Sequence, residues 1–406
     1  MITLSGFARA LNSGGRVIER TGLELVRLDE EYLLDEARRR TRLEDFGDPG
    51  FREPFRRLLH AYEHEAQLSL LGRIAARQDT IRLLASRLKM EADRRRHPEI
   101  AAGEVRRPLF VTGLPRTGTT LLHGLLAQDP ANRVPLHWET VYPSPPPDRA
   151  RHLRDRRIDA AERQLRWFHR LNPDIRKIHP VGARLPEECQ IITSHSFLSF
   201  QFQTTHAVPS YQGWLEAHDL RACYASHRRF LQHLQWRCPG ERWVLKAPPH
   251  LFGIEALFAT YPDAGVILTH RDPCEVAGSL ASLTTVLRST FSDAVDPVAV
   301  GEEMNARWAD GMARALRARD AGCAAPAQFC DVHYGDLLRD PIGTMRQVYA
   351  HYALPFTPTA EERMRRFLAE NPKDKHGRHQ YSLAQFGLSP EREAERYRFY
   401  RERFGL

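Results

Sequence analysis

The residues best suited to chemistry form an octapeptide, Gly113-Leu-Pro-Arg-Thr-Gly-Thr-Thr120, set between a short apolar strand and a helix-like run. Such a turn points consecutive backbone N–H groups and the positive end of a helix at an anion, and Thr119 and Thr120 add hydroxyl donors. It suits the binding of a phosphate-like group. The spacing approaches the GxxxxGK[ST] loop of nucleoside-triphosphate enzymes, but Thr119 stands at the lysine position. Without that lysine a triphosphatase loses its main contact to the terminal phosphates. The next strand, Arg242-Trp-Val-Leu-Lys246, ends in a cation where a metal-binding aspartate would be wanted. Only Lys89, Lys177, Lys246, Lys373 and Lys375 are lysines among 59 basic residues, so a lysine closing a buried strand is informative. The six cysteines show no CxxC pair or zinc spacing, which predicts reduced thiols and no metal site.

The elements that must position this loop are legible from hydrophobic patterning. At 406 residues and 42% hydrophobic, the chain can bury a large core, and its 27% charged content is that of a globular protein. No apolar run approaches the ~18 residues of a membrane span, and Arg9, Arg16 and Glu19 interrupt any leader-like core, so a cytoplasmic address is expected. Residues 1–105 carry apolar positions at helical spacing, among them Leu33, Leu34, Leu58, Leu59, Ile81, Leu84 and Leu88, broken at Asp45-Phe-Gly-Asp-Pro-Gly50. This predicts a helical N-terminal section packed on a main domain of residues 106–406. From Pro108 onward, strands alternate with helices: Pro108 to Thr112, Arg242 to Lys246, Gly265 to His270 and Phe329 to His333. The fold class predicted is α/β, a P-loop-type parallel sheet flanked by helices. Residues 130–240 lack the alternation and read as a helical insertion over the carboxyl edge of the sheet, where open α/β sheets place ligands.

Two motifs then make a family visible. Pro115-Arg-Thr-Gly-Thr-Thr120 resembles the 5'-phosphosulfate loop of sulfotransferases that use 3'-phosphoadenylyl sulfate (PAPS), and His270-Arg-Asp-Pro-Cys-Glu-Val-Ala-Gly-Ser279 resembles their 3'-phosphate signature. The whole-chain pattern looks most like bacterial single-domain members, with the signatures covering residues 107–340. The resemblance implies that Pro115, Arg116, Thr117, Gly118, Thr119 and Thr120 hold the 5'-phosphate. Arg271 and Ser279 would take the 3'-phosphate, for which a guanidinium fork and a hydroxyl are suitable groups. Tyr334 would lie against the nucleotide, and Lys375 and Arg378 belong to a basic loop where relatives close over the donor. Leu121 departs from the small-molecule members, which often place there a tryptophan that stacks on adenine.

Sulfuryl transfer requires alignment of the acceptor oxygen, the sulfur and the leaving phosphate, with cations for the charge that develops and a base for the hydroxyl proton. By resemblance to the tyrosylprotein and carbohydrate branch, Arg116 and Lys246 supply the cations and Glu139, in Val134-Pro-Leu-His-Trp-Glu139, supplies the base. His137 is its rival, since the cytosolic small-molecule branch uses a histidine. Glu187, Glu188 and His195 form a second polar cluster that could bind or orient the acceptor. The rings Trp138, Tyr142, Phe197, Phe200, Phe202, Tyr211 and Trp214 would, if they line a pocket, favour a small hydrophobic alcohol or phenol. The predicted activity is PAPS-dependent sulfuryl transfer to such an acceptor, releasing 3'-phosphoadenosine 5'-phosphate (PAP) and needing no metal. The alternative is a P-loop kinase or hydrolase using ATP–Mg. The formal charge of +8 is then assigned in part to an anionic nucleotide and not to nucleic acid.

Overall fold

A computed structural model describes residues 6–19, 25–173, 181–372 and 382–406. Five parallel strands form one sheet: β1 (Leu109–Gly113), β2 (Asn132–Arg133), β3 (Arg242–Lys246), β4 (Gly265–His270) and β5 (Phe329–His333), in the order β2-β3-β1-β4-β5. Four of these match the sequence expectation. β2 does not, because two residues leave no periodic signature, and it lies inside the stretch read as free of strands.

The strands are apolar runs because both faces of the sheet are covered. Their side chains alternate between two cores. Phe110, Trp243, Leu245, Val266 and Leu268 enter one core, while Leu109, Val111, Val244 and Ile267 enter the other. The first core also receives Leu33, Leu34, Phe55, Leu58, Leu84 and Leu88, so the N-terminal helices and the sheet bury one continuous apolar body. The longest helix of that section, Leu70–Arg96, starts where the Ser69 side chain accepts from the Gly72 N–H. The second core is closed by Leu122, Leu125 and Leu126 from the helix after β1 and by Met345, Val348 and Met364 from later helices.

The sheet order decides where the chemistry sits. The chain leaves β1 toward β2 and β3 on one side and later returns to β4 and β5 on the other, so the carboxyl end of β1 lies at a reversal of strand order. The octapeptide loop occupies that point, with β3 and β4 as its neighbours.

The insertion over this edge is mostly helical, and its rings are spoken for. Trp138, Phe197, Phe202 and Tyr211 are buried. Phe197 packs 4.6 Å from Phe55 of the N-terminal section, Phe200 lies 4.7 Å from Phe252, and Trp214 lies under Arg57 at 4.9 Å. Tyr142 donates to Gln164. An aromatic-lined acceptor pocket is therefore not what these rings build; they hold the insertion to its neighbours. No helix among the described residues is long and apolar enough to cross a membrane.

Candidate functional site

The loop needs glycine at two positions. Gly113 and Gly118 have φ of +143° and +92°, and a Cβ would meet Thr269 Oγ1 at 2.5 Å in the first case and the Tyr334 ring at 2.8 Å in the second. Thr117 is buried and structural: its Oγ1 donates to the Leu114 carbonyl (2.6 Å) and lies 2.6 Å from Thr269 Oγ1, tying the loop to β4. The helix Thr119–Leu126 begins at Gly118 with no side-chain cap, so its first N–H groups face the loop's concavity. Those donors and the helix dipole make an anion cradle. Pro115 is half-buried, Thr119 is buried at the first helical position, and Arg116 and Thr120 are exposed. Leu121 packs on the core beneath this helix.

On the β4 side, Arg271 follows the strand directly and reaches the loop. Its Nη1 donates to the Arg116 carbonyl (3.1 Å), its Nε donates to Glu275 (2.9 Å), and its guanidinium lies 4.4 Å from the Tyr334 ring centre. Tyr334 opens the helix after β5 and rests against Gly118. Ser279 is half-buried on the helix Pro273–Ser289, one turn beyond Glu275 and on the same face, hence toward the Arg271 side. Asp272 caps that helix by accepting from the Cys274 N–H. Arg271, Tyr334 and the loop are thus brought together, the loop lying more than 150 residues before the other two.

On the β3 side, Lys246 stands opposite Val111 in register, is 3% exposed, and donates to Glu188. The other Glu188 oxygen accepts from Gln190 (2.8 Å), and the Glu188 N–H donates to Glu187 (2.8 Å). His137 Nδ1 lies 2.5 Å from Glu187 Oε2, and its Nε2 takes no partner among the described residues. His123, on the loop helix, reports the same neighbourhood: burial and then the Lys246 charge push it down to about 3. Lys246, Glu188 and Glu187 are buried and, with the half-buried His137, form one polar cluster.

Two expectations are corrected by contacts. Glu139 is fully buried and every acceptor position is taken: Oε1 accepts from Arg133 Nη2 and from His152 Nε2 (2.8 Å), and Oε2 accepts from Arg133 Nη1 (3.0 Å) and the Leu136 N–H (2.9 Å). Burial alone would raise its pKa, but Arg133 and His152 overcome this and hold it at about 2. A carboxylate so held is a poor proton acceptor and a good strut for the short helix His137–Val141. His195 is likewise not in the polar cluster. It is buried against Phe230, its Nε2 lies 2.8 Å from the Thr140 carbonyl, and burial lowers it to about 3. Arg133, which fixes Glu139, carried no sequence signal. Lys375 and Arg378 lie outside the described residues.

A sequence model described as "Sulfotransferase family" matches residues 108–358. The chain belongs to the sulfotransferase family. This sulfotransferase is similar to the crystal structure of sulfotransferase STF1 from Mycobacterium tuberculosis H37Rv, at 34% identity and a TM-score of 0.82, covering 93% of this chain and 99% of that one. It is also similar to STF9 from Mycobacterium avium, at 31% identity and a TM-score of 0.85, over 95% and 98%. Among curated proteins, omega-hydroxy-beta-dihydromenaquinone-9 sulfotransferase Stf3 of Mycobacterium tuberculosis is 27% identical over 300 residues, 70% of this chain and 72% of its own. Family membership disfavours the ATP–Mg phosphotransferase alternative.

The reassigned role of Glu139 in this sulfotransferase has a measurable consequence. Glu139→Gln leaves the buried Arg133 charge uncompensated and is expected to cost about 3–5 kcal/mol in denaturant unfolding. Because the folded-state value of about 2 lies below the ordinary 4.5, the stabilisation is complete above pH 4.5 and is lost as pH falls toward 2. A variant with wild-type stability but no turnover would return Glu139 to the base role.

Proposed function

We propose that the protein transfers a sulfuryl group from PAPS to the hydroxyl of a small hydrophobic acceptor. The observation that carries this reading is the pair of cations flanking the uncapped loop, Arg271 donating to it from the β4 side and Lys246 buried on the β3 side. The 3'-phosphate is assigned to Arg271 and Ser279, the 5'-phosphate to residues 115–120, and the reacting end of the donor to the β3 side. PAPS supplies an activated sulfuryl group whose leaving phosphate is already a stable anion.

The residues then divide the work. His137, oriented through Nδ1 by Glu187, takes the acceptor hydroxyl proton on Nε2. The acceptor oxygen forms its bond to sulfur as the bond from sulfur to the bridging phosphate oxygen breaks. The electron pair leaves on that oxygen, and Lys246 and Arg116 with the loop N–H groups stabilise the resulting charge on PAP. Glu188 holds Lys246 in place between turnovers. The substrate named for the 27% identical relative, omega-hydroxy-beta-dihydromenaquinone-9, supports a hydrophobic alcohol as acceptor.

The test is transfer of radiolabelled sulfuryl from PAPS to a panel of ω-hydroxylated isoprenoid quinols and simple phenols. Labelled product formed in the presence of chelator is the expected result. Labelling that requires ATP–Mg, or none with any hydroxyl compound, would remove the proposal.

A further inference from the structure

Many arginines on this surface are paired with acids. Arg39 and Arg40 bind Glu36, Arg56 binds Glu30, and Arg365 binds Glu361. The helix Arg156–Leu171 gathers several arginines without such partners on one face. Arg156, Arg163, Arg166 and Arg170 are exposed and none makes an ion pair among the described residues. At 3.6 residues per turn these four and Trp167 fall within an arc of about 100°, opposite the buried Ile158, Ala161 and Leu165. Asp159 is the acidic residue in the arc. Trp167 is 59% exposed, and Leu153, just before the helix and flanked by the exposed Arg151 and Arg154, is 74% exposed. The Arg170 guanidinium lies 5.4 Å over the Trp167 ring, so the face combines cations with an exposed indole.

We infer that this face docks on an anionic lipid surface. Unpaired arginines give the charge complementarity, and an indole and a leucine among them match the boundary between headgroups and acyl chains. Nucleic acid would use the arginines but would leave Leu153 exposed. The inner face of the same helix connects docking to chemistry. Ile158 and Ala161 pack on Trp138, next to His137, and Glu162 accepts from the Ala183 N–H (3.0 Å) in the turn that precedes Glu187. A bilayer held on the outer face lies one helix away from the base and acceptor cluster, so a lipid alcohol could present its hydroxyl there without leaving the membrane. This last step rests on the sulfotransferase reading; the docking itself does not.

The experiment is flotation of the full chain with vesicles of phosphatidylglycerol and phosphatidylcholine, against phosphatidylcholine alone, with PAP binding measured on the same samples. The expected result is binding to the anionic vesicles only, weakened by high salt. Arg163→Ala/Arg166→Ala should lower it by about 25-fold, near fivefold per arginine, and Trp167→Ala should lower it several-fold, with PAP affinity unchanged. Equal binding to both vesicle types, wild-type binding by the double variant, or capture of a DNA duplex in preference to vesicles would each overturn the inference. Vesicle binding with no PAP binding would leave docking intact and refute the sulfotransferase reading, so the two failures are distinguishable.

Discussion

Lys246→Met should lower kcat by about a hundred- to a thousand-fold while changing the affinity for PAP far less, because the charge is needed where electron density builds on the leaving phosphate. The side chain is 3% exposed and paired with Glu188, so its removal also strands a buried carboxylate. Lys246→Met/Glu188→Gln separates these effects. The double variant should recover the wild-type melting temperature and remain as slow as the single one. Recovery of rate along with stability would mean that Lys246 is a structural partner of Glu188 and nothing more.

The second large effect is expected at His137. Its Nδ1 is held by Glu187 and its Nε2 has no partner among the described residues, the arrangement of an oriented general base. His137→Gly should cost about a hundred- to ten-thousand-fold in kcat, the range measured for positioned acid–base groups. Added imidazole should restore part of the rate in that variant, a rescue that a packing role would not show. Glu187→Gln should give a smaller loss, since it releases the ring's orientation and leaves the nitrogen in place. Turnover of His137→Gly near the wild-type rate would exclude this histidine from proton transfer.

What the sequence disclosed and what it withheld divide along a physical line. The loop from Gly113 to Thr120 and four of the strands were legible because their signals are local: contiguous apolar residues, then a glycine-bearing turn, then helical spacing. The contact of Arg271 with the loop spans 155 residues and could be inferred only from two signatures in order. Glu139 reads as a base in the sequence because its buried pairing depends on Arg133 and His152, whose approach is a tertiary fact. A glutamate beside cations reads as a base when partly open and as a strut when all its acceptor positions are filled. The insertion's rings were ambiguous for a similar reason. Phe197 meets Phe55 from the N-terminal section, and nothing in either local segment announces the other. The two residues of β2 are too few to carry a period at all.

The central claim is that one nucleotide spans the loop and Arg271, and its 3'-phosphate is the diagnostic group. Titration calorimetry with PAP and with adenosine 5'-phosphate, on wild type and Arg271→Ala, addresses it directly. The account predicts that wild type prefers PAP by about a hundred-fold, as removal of a charge-assisted partner commonly costs, and that Arg271→Ala binds the two nucleotides nearly alike. Undiminished selectivity for PAP in Arg271→Ala, or tighter binding of ATP–Mg than of PAP by wild type, would contradict it.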